Sequence, residues 1–362
     1  MATGSLTIQA RTAYDALPLP GVSVRILDAQ NQLLYDLTTD ESGRTETVSL
    51  PAPERSLSLC PNPDSAPYAS YRVIAQARGF QTLYISGVHI FEGEAAVQPA
   101  PLTPMGERQQ LPGRTEIVIG PPAIRQNDPW NQEGPAAEPF ILRQVVIPNP
   151  ITVHLGRPAS AAANVQVSFP DYVKNVASSE IYPTWPEASL TANIYAIITF
   201  ALNRVFTEWY RSQGYPFDIT GSTSHDQYFV YGRTVYDSIS RIVDRIFNQY
   251  VRRRGHTAPY FTSFCNGTTV TCRGLSQWGT VTLANQGLDP LQILRYYYPD
   301  DVEIAQTDAI TDVLVSYPGT VLKSGSTGLD VQTIQTYLNR IRKNYPAIPA
   351  IADPEGVFGA GT

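Results

Sequence analysis

Residues 169–204, FPDYVKNVASSEIYPTWPEASLTANIYAIITFALNR, decide how the central part of this chain folds. The first part carries apolar residues at helical spacing, after a proline that is favourable in the first turn of a helix. Pro183 and Pro186 interrupt this spacing, because a proline inside a helix removes a hydrogen bond and clashes with the preceding turn. A second, wider apolar stripe begins at about Glu187. The stretch therefore predicts a short helix, a turn and a longer buried helix.

Glu180 lies at the predicted C-terminal end of the short helix and faces its seam with the longer one. The negative end of the helix dipole and nearby apolar surface both raise the pKa of a carboxyl group. A carboxyl group that stays protonated near neutral pH is suited to general acid catalysis. On pattern alone, the alternative is a solvated glutamate at a helix end, which is common in proteins.

The composition of the whole chain limits the classes of protein to consider. With 362 residues the chain has room for two to three domains, and its net charge of −6 gives no indication of nucleic-acid binding. No apolar run reaches the roughly 18 residues of a membrane span, and the N-terminus lacks a signal-peptide pattern. Three cysteines are too few for a disulfide-based scaffold. We therefore expect a globular protein with neither a membrane span nor a nucleic-acid partner.

Residues 1–104 show the alternating pattern of β-strands separated by turn residues, which predicts an all-β sandwich of seven strands. The motifs PLPGVSVRILD and TDESGRT resemble the carboxypeptidase-regulatory or Cna-B-like modules, in which the second motif marks a turn. His89 and Cys60 are expected to be isolated side chains rather than ligands. Residues 105–140 are rich in Pro, Gly, Gln and Asn, and this composition predicts a linker.

Motifs around Glu180 and near residue 277 together resemble the sporulation stage II protein D family. The matching segments are DYVKNVASSE, PEASLTA, LSQWG and YYYP, within residues 145–307. The family consists of peptidoglycan lytic transglycosylases, and its catalytic glutamate corresponds to Glu180. Two segments depart from the family pattern: ASLTANIYAIITFALNR differs from the usual ALKAQA-type helix, and CRGLSQWG lacks the usual histidine. The resemblance implies a central α+β catalytic domain over residues 141–312.

The same resemblance implies a set of residues that orient the substrate. The candidates for substrate binding are Tyr182, Gln227, Tyr231, Ser276, Gln277 and Trp278. Ser276 is not expected to be a hydrolase nucleophile, because it lacks the G-x-S-x-G context. His225 is either a cleft residue or an ordinary loop histidine, and Trp185 either stacks on a sugar ring or packs in the core.

Cys265 and Cys272 flank a turn and leave three explanations open. Together with His256 or His225 they provide two or three zinc ligands, although no complete set of four is present in the sequence. The alternatives are two buried thiols or one disulfide across a hairpin. The expected chemistry needs no cofactor, so we predict none and keep zinc as the alternative.

The remaining pattern predicts further elements of the central part. These are strands over 145–155, 165–168 and 259–264, a helix over 233–254, and short helices over 280–286 and 291–298. The helix over 233–254 ends in Arg252, Arg253 and Arg254, and cations are favourable at a helix C-terminus. This charge run is therefore expected to be structural.

Residues 318–362 resemble the three-helix peptidoglycan-binding domain. The resemblance rests on LKSGSTGLDVQTIQTYLNRI and DPEGVFGAGT. Val331, Ile334, Leu338 and Ile341 form the apolar stripe of its helix. The sequence ends within this pattern, so the module is expected to be incomplete.

A β-sandwich, a transglycosylase-like domain and a peptidoglycan-binding module occur in this order in spore cortex-lytic enzymes of the SleC type. The resemblance implies cleavage of MurNAc–GlcNAc bonds by one general acid/base, Glu180, to give 1,6-anhydromuramoyl ends. Such a protein acts in the spore cortex, spore coat or cell wall, with peptidoglycan as partner and an activating protease as a further one. The alternatives are an N-acetylmuramoyl-L-alanine amidase, which needs zinc, and a non-catalytic wall-binding or spore-coat protein.

Overall fold

In a computed structural model, the described residues are 2–12, 17–105, 114–125, 142, 144–311, 321–342 and 349–362. The chain forms two compact units, Met1–Ala309 and Ile310–Thr362. The first unit contains both the N-terminal sheets and the central helices. It is therefore β-rich in its N-terminal part and mixes helices with short strands in its central part.

The N-terminal part consists of two sheets. Its strands are β1 (Thr3–Thr12), β2 (Leu17–Pro18), β3 (Ser23–Leu27), β4 (Leu33–Thr38), β5 (Val48–Pro51), β6 (Ala69–Gln76), β7 (Thr82–Ile90), β8 (Ala95–Pro101) and β9 (Arg114–Val118). One sheet has the order β4-β3-β6-β7-β9, and in the other β1 pairs with β2, β5 and β8. Alternate residues of β1, among them Leu6, Ile8 and Ala10, are completely buried, as the period-2 pattern predicts.

The predicted strand count and linker are partly wrong. Eight strands, not seven, lie in the described residues below 105. β9 lies inside the predicted linker and pairs in parallel with β7. The physical reason is this pairing with a distant strand, in which Ile117 and Ile119 bury their side chains while Val118 remains 67% exposed.

The central part contains the remaining elements of the first unit. They are β10 (Ile151–His154), β11 (Asn164–Val167), α1 (Phe169–Glu180), α2 (Glu187–Phe206), β12 (Ile219–Thr220), β13 (Val235–Tyr236), α3 (Asp237–Ile246), β14 (Gln249–Arg253), β15 (Phe264–Cys265), β16 (Leu275–Ser276), α4 (Gln277–Asn285), α5 (Pro290–Tyr297) and β17 (Val302–Gln306). The strand predicted over 145–155 is only four residues long, and β15 is much shorter than the predicted 259–264.

The two helices predicted around Glu180 are confirmed. Ser168 caps α1 by accepting a hydrogen bond from the backbone N–H of Asp171, and α1 ends at Glu180 itself. α2 begins directly after Pro186 and is buried along almost its whole length. Local periodicity and proline placement were sufficient here, because both signals act within a few residues.

The helix predicted over 233–254 is wrong at both ends. α3 spans only Asp237–Ile246, and β14 follows it and pairs antiparallel with β17. The backbone N–H of Val251 donates to Thr199 Oγ1 of α2 at 2.9 Å, so the strand is fixed by distant partners. The predicted helix-end arginines lie on or just after β14, where Arg252 pairs with Glu303 at 2.9 Å and Arg253 pairs with Asp301 at 2.9 Å.

β13 connects the central part to the N-terminal sheets. Its residues Val235 and Tyr236 pair antiparallel with Val97 and Ala96 of β8. Next to this ladder, the buried Gln98 accepts a hydrogen bond from Thr234 Oγ1 at 2.6 Å and donates one to the carbonyl of Gly232 at 2.7 Å. The N-terminal and central parts therefore share one sheet and one core.

The second unit contains α6 (Leu329–Ile341) and a turn-rich C-terminal segment. α6 is the one helix of the predicted three that lies in the described residues of this unit. Val331 is completely buried, whereas Ile341, predicted for the same apolar stripe, is 45% exposed. The Asp353 carboxylate accepts backbone N–H groups of Gly359, Gly361 and Thr362, which orders the C-terminal turn. Nowhere in the described residues of either unit is there a helix with the length and apolar character of a membrane span.

Candidate functional site

Glu180 is completely buried at the end of α1. Its Oε1 accepts a hydrogen bond from the backbone N–H of Tyr228 at 2.8 Å, and its Oε2 accepts one from Gln277 Nε2 at 3.3 Å. These three residues, which come from α1, the loop over 221–232 and α4, form the acid site. The backbone places one carboxyl group between two hydrogen-bond donors and away from water.

The pKa of Glu180 is raised from 4.5 to about 7. Burial is the main cause, because the charged form loses its hydration. The effect of burial is partly offset by the hydrogen bonds from Tyr228 and Gln277 and by the positive charge of Arg233, each of which lowers the pKa. Near neutral pH this carboxyl group is therefore divided between its protonated and charged forms. The upward direction of the pKa agrees with the sequence prediction, and its cause is burial.

The loop over 221–232 is held against α1 by a second hydrogen-bonded pair. Asn175 Nδ2 donates to the carbonyl of Val230 at 2.8 Å, and Asn175 Oδ1 accepts the N–H of Val230 at 3.1 Å. Asn175 lies one and a half turns before Glu180 on α1. The loop therefore runs along the helix, and this direction carries the N–H of Tyr228 to the carboxyl group.

α4 is fixed against α2 by buried polar contacts, which determine where Gln277 points. Thr280 Oγ1 contacts Ser189 Oγ at 2.7 Å and accepts from Asn193 Nδ2 at 2.8 Å. Gln277 Oε1 is buried and has no hydrogen-bond partner among the described residues. The amide of Gln277 therefore has an unused acceptor beside the carboxyl group.

Arg233 is a charged residue of the site that the sequence analysis missed. It is 1% exposed, its Nε donates to the carbonyl of Ser178 at 3.1 Å, and its Nη1 donates to the carbonyl of Gly120 at 3.2 Å. Its Nη2 has no hydrogen-bond partner within the described part of the chain. The sequence offered no signal for this residue, because it fell inside the wrongly predicted helix.

An aromatic cluster lies beside the acid site. Its members are Phe91, Tyr182, Trp185 and Trp278, with ring centroids between 4.8 and 6.0 Å apart for the contacting pairs. Tyr182, Trp185 and Trp278 are each at most 5% exposed. Of the two alternatives left open for Trp185, the structure places it in the core, where its Nε1 donates to the carbonyl of Ser58 at 3.0 Å.

The N-terminal part covers the acid site. Residues 119–125, which we call the covering segment, follow β9 and lie against the end of α1. The carbonyl of Gly120 accepts from Arg233. Burial raises the pKa of Tyr182, and the nearby charge of Arg125 offsets part of this rise. On the other side, Arg55 Nη2 donates to the carbonyl of Thr184 at 2.5 Å. Glu180 is therefore out of reach of a polymer in this arrangement.

The other residues that were predicted to contact the substrate do not form a row along one cleft. Gln227 is completely buried, accepts from Tyr172 Oη at 2.9 Å and donates to the carbonyl of Ile197 at 3.1 Å, so both ends of its amide are engaged. Ser276 caps α4 by accepting from the N–H of Gly279 at 3.0 Å. Tyr231 is half-buried in the same loop as Gln227. Gln277 is the predicted contact that directly touches Glu180.

Cys265 and Cys272 form a disulfide, the third of the alternatives left open by the sequence. Because the two sulfur atoms are bonded to each other, neither is a thiolate ligand, and a zinc site built from Cys265, Cys272 and His256 is incorrect for this structure. His256 is exposed on the turn after β14. Within the described ranges, no three His, Cys, Asp or Glu side chains lie together in an arrangement that could hold a metal ion.

His89 and Cys60, the two residues of the N-terminal part that were expected to be isolated side chains, have different environments. His89 is 4% exposed and its ring lies 3.9 Å from that of Tyr68. Burial, together with the nearby charge of Arg233, lowers the pKa of His89 to about 3. Cys60 is exposed and is not part of a disulfide.

No protein-family model matches the sequence. An uncharacterized protein of Brachyspira hyodysenteriae is 29% identical over 105 residues, which are 29% of this chain and 27% of that protein. The matched region thus spans about a quarter of the length of this curated relative.

Several solved structures are similar to about 30% of the chain. Klebsiella pneumoniae 5-hydroxyisourate hydrolase is 19% identical with a TM-score of 0.20, over 28% of this chain and 92% of that one. GBS52, the minor pilin of Streptococcus agalactiae, is 14% identical with a TM-score of 0.21, over 30% and 48%. The Bacillus anthracis TIE protein is 16% identical with a TM-score of 0.20, over 29% and 17%. Similarities at such low TM-scores are too weak to support a shared function.

Proposed function

We propose that the chain is a peptidoglycan lytic transglycosylase that uses Glu180 as its only acid/base. The observation that carries this proposal is one buried carboxyl group with a pKa of about 7, held between the N–H of Tyr228 and the amide of Gln277. The family resemblance of the motifs around Glu180 and Gln277 supports the choice of substrate. The proposed substrate is the glycan of spore cortex or cell wall.

The proposed reaction needs one group that gives a proton and takes one back. Protonated Glu180 donates to the glycosidic oxygen, and the bond between this oxygen and C1 of the muramoyl residue breaks. The C6 hydroxyl of the same residue then bonds to C1 and passes its proton to the Glu180 carboxylate. The product is a 1,6-anhydromuramoyl end, no water is consumed, and the acid is regenerated. A hydrolase with two carboxylates would instead place a second acid on the opposite side of the bond.

Gln277 is suited to both protonation states of Glu180. In the charged state its Nε2 donates to Oε2. A rotation of the amide by half a turn presents Oε1, which has no partner among the described residues, to the hydroxyl of the protonated acid. Gln277 is therefore a positioning residue that keeps the carboxyl group oriented before and after proton transfer.

Glu180 is covered in this structure, so the proposed reaction requires that the acid site first become accessible. A glycan chain reaches the carboxyl group only when the covering segment and the adjoining N-terminal contacts have moved or been removed. An activating protease is one partner that meets this condition. The covered arrangement equally favours a second candidate, a non-catalytic wall-binding protein in which Glu180 is merely buried.

Analysis of the products distinguishes these functions. Purified cortex peptidoglycan is incubated with the protein, before and after limited proteolysis, and the released fragments are identified by mass spectrometry. Anhydro ends support the transglycosylase, reducing ends indicate a hydrolase, and free stem peptides indicate an amidase. Glu180→Gln should lose at least a hundredfold of the release rate, since general acid catalysis contributes roughly 10²–10⁴. Glu187→Gln is the matched control, because Glu187 is exposed at the start of α2. Binding without any released fragment would favour the wall-binding protein.

A further inference from the structure

A second concave site lies at the C-terminal end of α2, at a different place in the sequence from Glu180. It is a cavity of about 260 Å³ lined by Pro158, Arg204, Trp209, Tyr210, Gln213, Tyr215 and His225. Four of these side chains are aromatic rings, and the others add an amide and a guanidinium group. Ligand sites of this kind combine apolar walls with a few polar groups that fix orientation.

Arg204 forms the buried wall of this cavity, and the negative charge of Asp226 compensates its positive charge. It is 1% exposed, and its Nε donates to Asp226 Oδ1 at 2.8 Å. The same carboxylate accepts from Tyr210 Oη at 2.6 Å and from Thr220 Oγ1 at 2.6 Å. The ion pair with Asp226 compensates the charge of the guanidinium group, so the cavity wall carries no net charge here. This favours a neutral ligand over a phosphate or a carboxylate.

The end of α2 places Trp209 over this guanidinium group. The N–H of Trp209 donates to the carbonyl of Arg204 at 3.0 Å and that of Glu208 donates to the carbonyl of Val205 at 3.0 Å, a Schellman turn. Glu208 takes the left-handed position with φ of 46°, where glycine is usual. The Arg204 guanidinium carbon lies 4.5 Å from the centroid of the Trp209 ring. The ring is thereby held as a fixed wall that is half-buried and partly open to solvent.

The same loop connects this cavity to the acid site. His225 lines the cavity, Asp226 pairs with Arg204, and Tyr228 donates its N–H to Glu180. Three residues of extended chain span at most about 11 Å, so the two sites lie within reach of one oligosaccharide. A polymer substrate is longer than its cleaved bond and gains affinity from contacts on either side.

We propose that this cavity binds one N-acetylated sugar unit of the glycan chain, remote from the bond that is cleaved. The apolar face of a sugar ring packs against Trp209, and the acetamido carbonyl accepts from the amide of Gln213, an exposed neutral side chain of the wall whose Nε2 also donates to the carbonyl of Trp209. The choice of sugar rests on the function proposed above, whereas the presence of a neutral, aromatic binding site rests on the cavity alone. The volume suits a single ring and its substituent rather than a larger ligand.

The test follows the indole N–H signal of Trp209 by nuclear magnetic resonance, assigned by its loss in Trp209→Leu. The chain has four tryptophans, so the indole region is simple. Titration with the tetramer of N-acetylglucosamine should shift this signal, with a dissociation constant in the millimolar range, and maltotetraose should not. Calorimetry should show affinity about tenfold weaker in Trp209→Leu and weaker by a smaller factor in Gln213→Ala, an exposed position where misfolding is not expected. Tyr296→Leu, at a residue that is 67% exposed on α5, is the matched control and should bind as the wild type does.

Glu180→Gln separates this inference from the proposed function. It should bind the tetramer at the Trp209 site like the wild type even though it releases no fragments. A Trp209 signal that does not move, equal shifts with maltotetraose, or unchanged affinity in both Trp209→Leu and Gln213→Ala would each overturn the inference, whatever the result of the product analysis. Absence of anhydro products with an intact Trp209 response would overturn the transglycosylase alone.

Discussion

The burial that raises the pKa of Glu180 also makes the stability of the protein depend on pH. The folded state holds this proton up to a pH of about 7, whereas an unfolded glutamate releases it near 4.5. Between these values the folded state binds more protons, so the free energy of unfolding falls as pH rises through the interval. The stabilisation is complete below about pH 4.5 and lost above about pH 7. Over this pH interval the free energy of unfolding changes by about 3 kcal/mol at most.

Glu180→Gln should remove this dependence. The amide is neutral at every pH and has the shape of the protonated acid, and Gln277 can present Oε1 to its NH₂ group. Denaturant unfolding should therefore find the variant more stable than the wild type at pH 8, by up to about 3 kcal/mol, and similar to it at pH 4. Glu187→Gln, at an exposed position, should follow the wild type at both pH values. A variant less stable than the wild type at pH 8 would contradict the assigned pKa.

Gln277→Leu should move the pH dependence of the proposed activity. Only protonated Glu180 donates, so kcat/KM for glycan release should fall about tenfold per pH unit above about 7. Leucine removes a hydrogen bond to the charged carboxylate, which disfavours that form and raises the pKa further. The falling limb should therefore shift to higher pH in Gln277→Leu and stay in place in Gln286→Leu, at the exposed end of the same helix. A shift to lower pH would argue against this contact.

The acid site shows which residues a sequence can and cannot reveal. Glu180 and Gln277 were each found through motifs, but their contact joins positions 97 residues apart and follows from tertiary packing alone. Arg233 was missed, because an arginine inside a wrongly predicted helix carries no motif. No role was predicted for Arg204, since its pairing with Asp226 depends on a loop that returns to α2.

Helices and strands that are defined by local interactions were predicted correctly from the sequence, whereas those defined by distant partners were not. α1, α2, α4 and α5 were predicted within a few residues, because caps, prolines and apolar spacing are local signals. β14 was predicted as helix because its residues continue the apolar stripe of α3, and only its pairing with β17 makes it a strand. β9 was lost for a similar reason, since a short strand after a polar stretch is defined by its partner β7.

The disulfide between Cys265 and Cys272 should stabilise the loop that precedes α4. It closes a loop with a sequence separation of 7, and a closure of this length is worth about 2 kcal/mol in the chain-entropy description. The double variant Cys265→Ser, Cys272→Ser should lose about this much free energy of unfolding, while activity per folded molecule is retained at low temperature. Reduced wild type should behave like the variant, and Cys60→Ser, at the free exposed cysteine, should not. Full stability with no activity would instead assign these cysteines to the chemistry.

For the whole molecule, the covering segment connects stability to access. Ile124 is 4% exposed within this segment, and an aspartate there would place an unpaired charge in an apolar contact. Ile124→Asp should loosen the segment and raise the rate of glycan release at least tenfold without proteolysis, at some loss of thermal stability. Val118→Asp introduces the same charge at a position that is 67% exposed and should change neither property. Activity that falls in Ile124→Asp only in proportion to unfolded protein would show that the segment does not control access.

The second compact unit gives a prediction about insoluble substrate. Deleting residues 322–362, most of the unit Ile310–Thr362, should weaken retention on insoluble peptidoglycan and leave turnover of soluble glycan nearly unchanged. A separate binding module raises the local concentration of enzyme on a surface without altering the bond-breaking step. Sedimentation with peptidoglycan and a soluble-chain assay measure the two quantities. Equal losses in both would make the unit part of the catalytic fold.

The pairing of β13 with β8 has a consequence during synthesis on the ribosome. β8 is complete at residue 101, yet its partner β13 begins at residue 235, so one sheet edge stays open while more than a hundred residues are added. At about 5–20 residues per second this lasts roughly ten seconds, during which an open edge invites pairing with another nascent chain. Pro99 and Pro101 offer no N–H on this strand, and they leave only the short stretch around Ala96 and Val97 to be matched later by β13.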